Sequence, residues 1–277
     1  MSCENEGGSS RRDIFNGALS MFAAVHLISD SEPGQAAPVD GGTNVVRLRN
    51  SEFRFTDLTH KLTREFNFGA NPPRIAMESV DGSGVKVGMK MHRLSLIEHT
   101  GTHIDAPSHF GENYRSLGDI PLRDLIAPLA VIDITERKAR DRNAQLEPDD
   151  VLLWEKRHGR LPDGCCVAMH SGWDPFVEME RNRAEGAMAS TGFSPATARM
   201  LAEQRNVKGI AVDSMTIDAG RNVPDYPVHR YWLSTGRWGI EGVANLKAVP
   251  PAGAVLIVGA APVADATGFP VRVIALF

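Results

Sequence analysis

Three histidines and an aspartate lie within eleven consecutive residues, in the run His-Thr-Gly-Thr-His-Ile-Asp-Ala-Pro-Ser-His over 99–109. Imidazole nitrogens together with a carboxylate oxygen are a common ligand set for zinc, manganese or iron. Three protein ligands leave coordination positions for water and substrate, as in catalytic rather than structural metal sites. A polar loop with unrelated histidines does not account for this combination. We therefore predict a catalytic metal site at residues 99–109.

The spacing within this run indicates an extended segment. His99, His103, Asp105 and His109 are separated by even numbers of residues. In an extended chain, whose side chains alternate, all four would lie on one side. On a helix the aspartate would turn away from the first two histidines, and the glycine and proline in the run disfavour a helix. We predict a strand end running into a loop, with His109 as a fourth ligand or a proton-transfer residue.

The rest of the chain must position these side chains. Apolar runs rich in β-branched residues predict strands at residues 129–135, 166–170, 209–212, 254–260 and 271–277. Two helices are predicted, one from Pro148 to Arg157 with acidic residues in its first turn, and one from Pro195 to Gln204 with Ser194 as its cap. Strands outnumber helices, so we expect an α/β fold that is not a regular eightfold barrel.

Composition excludes several classes of protein. The 277 residues are 42% hydrophobic and 23% charged, with a formal net charge of -4, which is ordinary for a globular domain. No basic cluster indicates a nucleic-acid partner, and no apolar run is long enough for membrane insertion. Cys165 and Cys166 are adjacent, a geometry that disfavours a disulfide, and we expect buried structural thiols.

The N-terminus is typical of a twin-arginine export signal. Arg11 and Arg12 precede one polar residue and the apolar pair Ile14 and Phe15, and a moderately apolar stretch follows over 17–28. We predict a signal peptide at 1–37, a Gly/Asn/Arg-rich linker at 38–54 and one domain at 55–277. The protein would then be periplasmic or otherwise exported; the alternative is a cytoplasmic protein with a disordered tail.

The pattern His-x-Gly-Thr-His-x-Asp-x-Pro-x-His resembles the signature of the cyclase family, which includes bacterial kynurenine formamidases and isatin hydrolases. Residues 57–62, 192–195 and 208–213 are also similar to that family, as is the spacing of twelve residues between His229 and Glu241. The resemblance covers residues 55–277.

The resemblance implies a swivelling β/β/α domain, in which a mixed sheet is flanked by helices, and a homodimer or higher homo-oligomer. It implies one or two divalent metal ions, zinc or manganese. The implied metal ligands are His99, His103, Asp105, His229 and Glu241. Asp105 would bridge the two ions, and His109 would be the catalytic acid/base.

The implied reaction is hydrolysis of an amide or cyclic amide, aryl formamide or isatin-like, by a metal-activated water. At an ordinary pKa of about 6.5, His109 would accept a proton from that water and return one to the leaving nitrogen. The substrate would be a small molecule. A polyketide-type cyclase or lactone hydrolase on the same fold stays open, as does a non-catalytic metal- or ligand-binding protein.

Substrate-binding residues are not identified by the sequence. Four aromatic residues would form either a wall for a planar substrate or part of the core; they are Phe110, Trp173, Trp232 and Trp238. Outside the site, His60 and His170 are expected to be structural or to support ligands, while His92 and His158 are expected to be solvated.

Overall fold

A computed structural model describes residues 43–48, 51–63, 75–80 and 90–277. The predicted signal peptide at 1–37 lies outside the described residues. Within them the strands are β1 Asn44–Leu48, β2 Ser51–Asp57, β3 Ala76–Ser79, β4 His92–Ser95, β5 His103–Asp105, β6 Ile126–Asp133, β7 Gln145–Leu146, β8 Cys166–His170, β9 Gly192–Phe193, β10 Gly209–Val212, β11 Trp238–Glu241, β12 Ala254–Gly259, β13 Gly268–Pro270 and β14 Arg272–Leu276. The α-helices are α1 Thr135–Lys138, α2 Pro148–His158, α3 Pro175–Glu185, α4 Pro195–Gln204 and α5 Pro227–Ser234.

One mixed sheet organises the domain. Its ten described strands follow the order β1-β2-β14-β12-β6-β8-β10-β11-β5-β13. The central strands β6, β8, β10 and β11 are parallel, and the strands on both sides of them run antiparallel to their neighbours. This arrangement confirms the predicted α/β class. The five strands predicted from apolar runs are all present, with ends shifted by at most a few residues.

The central strands β8, β10 and β11 are buried on both faces, which explains their apolar runs without polar alternation. In β6, Leu129 and Val131 belong to one core cluster, whereas Ala130 and Ile132 belong to the other. The second cluster also contains apolar residues of α2, α4 and α5, so these helices cover that face. The predicted structural thiols, Cys165 and Cys166, are buried and free.

Local signals define the two helices that the sequence predicted. At α2, Glu147 and Asp150 form a reciprocal capping box ahead of the helix. At α4, the Ser194 hydroxyl accepts a hydrogen bond from the Thr197 amide at 3.2 Å. The helices α3 and α5 were not predicted: α3 is largely polar and leaves Phe176 exposed, and α5 has only eight residues.

The linker predicted at 38–54 is wrong over the part that forms β1 and β2. These two strands pair with each other, and β2 also pairs with β14, so that tertiary hydrogen bonding outweighs the linker-like composition. An ion pair between Arg272 Nη2 and Asp57 Oδ2, at 2.6 Å, also joins β14 to β2. Among the described residues, no helix combines the length and apolar character needed to cross a bilayer.

Candidate metal centre

The pairing of β5 with β11 brings the first ligand candidates together. His103 lies opposite Glu241 in the antiparallel register, and β13 flanks β5 on its other side. His103 and Asp105 alternate with Ile104, which is fully buried in the core. The predicted alternation therefore holds within β5, and it places both ligand candidates on the opposite face of the strand from Ile104.

His99 and His109 join the cluster from either side of this strand. Gly101, with a φ of 68°, breaks the extended chain between His99 and β5, and a 3-10 turn over Pro107–Phe110 carries His109. The two rings nevertheless stack, with centroids 3.9 Å apart and planes inclined by 28°. The predicted convergence of the four side chains is confirmed, but the single extended segment was the wrong reason for it.

The side chains form two groups that share Asp105. One group is His99, His103 and Asp105, and the other is Asp105, His229 and Glu241; within each, the potential ligand atoms lie within 4.8 Å of one another. His103 Nε2 is 3.4 Å from both Asp105 Oδ1 and Glu241 Oε2. His229 Nε2 is 3.5 Å from Asp105 Oδ2. Two ligands on one tetrahedral zinc, at bond lengths near 2.0–2.1 Å, are about 3.4 Å apart.

The buried atoms of this cluster fit a bound cation. His103 and Asp105 are 2% and 0% exposed. Yet, among the described residues, His103 Nε2 and Asp105 Oδ2 have no hydrogen-bond partner. A buried polar atom without a partner costs stability, so such atoms usually have an ion, a water or a ligand to satisfy them. The donor set, imidazole nitrogens and carboxylate oxygens, is the chemistry that zinc and manganese accept.

Two ligand candidates are oriented through their other ring nitrogen. His103 Nδ1 lies 2.9 Å from the carbonyl oxygen of Gly101, and His229 Nδ1 lies 2.7 Å from Asp218 Oδ2. An acceptor at Nδ1 places the proton there and leaves Nε2 free to bind a metal, as in many metal sites. Both Nε2 atoms face the shared Asp105.

Asp218 is a supporting residue of the site that the sequence does not indicate. It is fully buried, and its carboxylate also accepts hydrogen bonds from the backbone amides of Val228 and His229 at 2.9 and 3.0 Å. It thereby fixes both the start of α5 and the ring that α5 carries. Asp218 lies eleven residues before His229 in a loop, so no local spacing pattern indicates the contact.

The electrostatics of the cluster couple two carboxylates to two imidazoles. Burial and the Asp105 charge oppose ionisation of Glu241, but its contacts with His103 and His229 outweigh them and lower its pKa to about 2. Burial likewise opposes ionisation of Asp105, while its histidine partners hold its pKa well below the usual range. Burial would lower the pKa of His103, yet the anionic Asp105 and Glu241 carboxylates, each 3.4 Å from its Nε2, raise that pKa to about 10. Both carboxylates are therefore anionic and require positive charge beside them.

His109 behaves differently from the ligand candidates. Burial is the main cause that lowers its pKa to about 4, with the neighbouring Asp105 charge acting in the opposite direction. Its imidazole is therefore neutral near pH 7, which departs from the ordinary value assumed from the sequence. A neutral ring beside the cluster is able to accept a proton.

Of the four aromatic residues considered for a substrate wall, only Phe110 is in ring contact with the cluster among the described residues. Its centroid lies 4.8 Å from that of His109 and 5.0 Å from that of His229. The three tryptophans, Trp173, Trp232 and Trp238, are at most 5% exposed and belong to core clusters.

The other histidines that the structure describes lie outside both ligand groups. His170 pairs with Asp133 at 3.1 Å, at the ends of β8 and β6. The backbone amide of His60 donates to the Thr102 hydroxyl at 2.9 Å, next to the ligand strand. His92 and His158 are exposed, as expected.

Comparison with known proteins identifies the family of this chain. Residues 56–219 match the model of the Cyclase family. An isatin hydrolase of Roseibium aggregatum is 30% identical over 76% of this chain and 84% of its own length. A kynurenine formamidase of Salinibacter ruber is 27% identical over 72% of this chain and 84% of its own length. The chain belongs to the cyclase family.

Solved structures confirm the predicted fold. Isatin hydrolase A from Labrenzia aggregata, bound to benzyl benzoate, has a TM-score of 0.72 and 33% identity, and the match covers 81% of this chain and 93% of that one. An isatin hydrolase bound to the product analogue thioisatinate also has a TM-score of 0.72, with 27% identity over 81% of this chain and 92% of that one. The mixed sheet with flanking helices is thus the fold of these hydrolases.

Proposed function

We propose that this protein is a metal-dependent hydrolase that cleaves an amide or cyclic amide of a small molecule. The observation that carries the proposal is the buried Asp105, shared by two ligand groups, with the neutral ring of His109 stacked on His99 beside it. The relatives named isatin hydrolase and kynurenine formamidase support cleavage of a carbon–nitrogen bond outside a peptide.

The metal would be held by His99, His103 and Asp105, with a second ion between Asp105, His229 and Glu241. Zinc and manganese both suit this donor set. When bound, such an ion lowers the pKa of a coordinated water and polarises a carbonyl group. Asp105 belongs to both groups. One ion would bind if only the first group is filled, and two would bind if Asp105, His229 and Glu241 also hold an ion.

The chain's own residues supply orientation and proton transfer. A ring nitrogen of His109 accepts a proton from water, because burial keeps that imidazole neutral, and then returns the proton to the leaving nitrogen. Asp218 and the Gly101 carbonyl hold the rings of His229 and His103 in place. This preorganisation keeps the site from rearranging during the reaction.

The substrate class that the site favours is a planar aryl amide or cyclic amide. Phe110 places an aromatic ring next to His109 and His229, where it offers a stacking or edge contact to a planar group. The relatives with isatin and kynurenine in their names support the same class. The adjoining Tyr226 ring, 6.0 Å from that of Phe110, extends this aromatic side.

The test is a substrate panel assayed with metal-loaded protein. The protein is freed of metal, loaded with zinc or with manganese, and incubated with isatin, N-formylkynurenine and an aryl lactone, and the products are analysed by mass spectrometry. Gain of one water by an amide substrate, lost in His109→Ala, is the expected result. Loss of water with ring closure would instead identify a cyclase, and an inactive but metal-binding protein would favour a binding role.

We also propose export through the twin-arginine route and assembly into a homodimer or larger oligomer. The support for export is the pair Arg11-Arg12 and the moderately apolar stretch over 17–28 that follows it. Replacing both arginines with lysine should retain the protein in the cytoplasm in cell fractionation. Light scattering after size-exclusion chromatography should give at least twice the mass of one chain. The full chain has a mass of 30.1 kDa, and cleavage of the signal peptide would lower that value.

A further inference from the structure

His99 is seated differently from the other imidazoles of the cluster. Its Nδ1 points inward and lies 2.7 Å from Asp105 Oδ1. Its Nε2 points outward and lies 3.0 Å from the hydroxyl oxygen of Thr267, directly before β13. In His103 and His229 the roles of the two nitrogens are reversed, since Nε2 faces Asp105.

The hydrogen bonds of Thr267 determine which nitrogen of His99 carries the proton. The Thr267 hydroxyl donates to Glu98 Oε1 in a short hydrogen bond, and the Thr267 amide donates to Glu98 Oε2 at 3.2 Å. A hydroxyl has one proton to donate, and here the carboxylate receives it. The Thr267 oxygen can therefore only accept from His99, so Nε2 carries a proton. Without a metal ion, Nδ1 donates its own hydrogen bond to the Asp105 carboxylate at 2.7 Å, and a metal ion bound at Nδ1 would take the place of that proton.

Glu98 acts on the His99 ring through the Thr267 hydroxyl rather than by direct contact. Glu98 Oε1 is 3.8 Å from His99 Nε2, beyond hydrogen-bond distance. The carboxylate therefore acts on His99 through the hydroxyl group. Both side chains are only partly exposed, at 19% for His99 and 33% for Glu98, which limits competition from solvent.

The glycine after Thr267 holds the ring from a second direction. A Cβ atom at Gly268 would lie 2.5 Å from His99 Cε1 and 2.9 Å from His99 Nδ1, and 2.6 Å from the carbonyl oxygen of Ile104. Only a residue without a side chain lets β13 approach the imidazole this closely. Thr267 and Gly268 together thus fix the position of the His99 ring.

We propose that Thr267 is a positioning residue which, with Glu98, fixes His99 in its Nε2–H tautomer, so that Nδ1 is the metal-binding atom. The inference rests on the proposed metal site. It predicts a mixed site in which His99 binds through Nδ1, whereas His103 and His229 bind through Nε2. Removing such a hydrogen-bond partner from the outer nitrogen of a metal-binding histidine typically weakens metal binding by about 10–100-fold.

The first test measures zinc affinity by competition with a chromophoric chelator. Thr267→Val removes the acceptor and should weaken zinc binding by about 10–100-fold, while Thr267→Ser, which keeps the hydroxyl, should restore it. Ser116→Ala is the control, because the Ser116 hydroxyl also donates to a carboxylate, Asp119 Oδ2 at 2.7 Å, outside the site; it should keep wild-type zinc affinity. Wild-type affinity in Thr267→Val, or equal losses in the valine and serine variants, would overturn the inference.

The second test locates the proton by nitrogen-15 NMR of the histidine rings. In zinc-loaded protein His99 should carry its proton on Nε2, and His103 and His229 should carry theirs on Nδ1. A proton on Nδ1 of His99 would contradict the inference. If the wild-type protein binds no zinc, the proposed function fails. The His99–Thr267 hydrogen bond is then still tested in metal-free protein, where Thr267→Val must shift the Nε2–H resonance.

Discussion

The substitution Asp218→Asn tests whether the outer hydrogen bond of a ligand candidate controls the metal site. Asp218 accepts three hydrogen bonds from α5: one from the Val228 amide, and two from His229, through its amide and its Nδ1. Asparagine has nearly the same shape but only one acceptor oxygen, and its other terminal atom is an NH₂ donor. In either amide orientation, that NH₂ group faces at least one donor of α5.

The magnitude follows from which donor is left unpaired. The less costly orientation keeps the oxygen on His229 and turns the NH₂ group toward the Val228 amide, so one buried donor loses its partner at a cost of about 1–3 kcal/mol. The bond that remains on His229 Nδ1 is no longer to a charged acceptor and is weaker. We therefore expect zinc affinity to fall by about 10–100-fold, or about 1.4–2.8 kcal/mol.

The assay is zinc competition with a chelator, combined with thermal unfolding of the zinc-free protein. Asp174→Asn is the matched control, because the Asp174 carboxylate also accepts from two amides at the start of a helix, those of Phe176 and Val177 in α3. The control should keep wild-type zinc affinity. If Asp218→Asn also binds zinc as wild type does, Asp218 does not orient His229 and the reasoning is refuted.

Two further predictions concern catalysis and stability. His109→Ala should keep its metal content but lose most turnover, because proton transfer typically contributes about 10²–10⁴-fold; unchanged turnover would remove His109 from the mechanism. Glu178→Gln should destabilise the fold by about 1–3 kcal/mol at pH 7, because the buried carboxylate pairs with Lys138 and Arg142 at 2.6 and 2.9 Å. Despite burial, these partners lower the pKa of Glu178, so the stabilisation is present above the unfolded pKa and is lost as pH falls through the lower, folded pKa. The difference between the two melting temperatures should accordingly shrink in acid, and a difference that grows would contradict the ion-pair account.

The sequence predicted the central strands well because their burial on both faces produces apolar runs that stand out along the chain. It also predicted the ends of α2 and α4, where capping residues act locally. It failed at β1 and β2, which depend on pairing with β14, a strand more than two hundred residues away in sequence. Propensity within a short window does not contain such long-range pairing.

In the candidate site, too, the residues close together in sequence were predictable and the distant ones were not. His99, His103, Asp105 and His109 share one short segment, and their chemistry is visible there. His229 and Glu241 gained meaning only through the family resemblance, since β11 brings Glu241 opposite His103 through sheet register. The supporting residues Asp218 and Thr267 were missed, because a loop and a strand edge distant in sequence carry them to the rings.

The most direct test of the metal site is the metal content of Asp105→Ala. Asp105 is the one residue common to both ligand groups, so its removal should disrupt both metal positions rather than one. The measurement is elemental analysis of zinc and manganese per chain after loading and gel filtration, alongside circular dichroism to confirm folding. Bound metal is expected in the wild-type protein and little or none in folded Asp105→Ala. Equal metal content in the two proteins would contradict the role of Asp105 as the shared ligand.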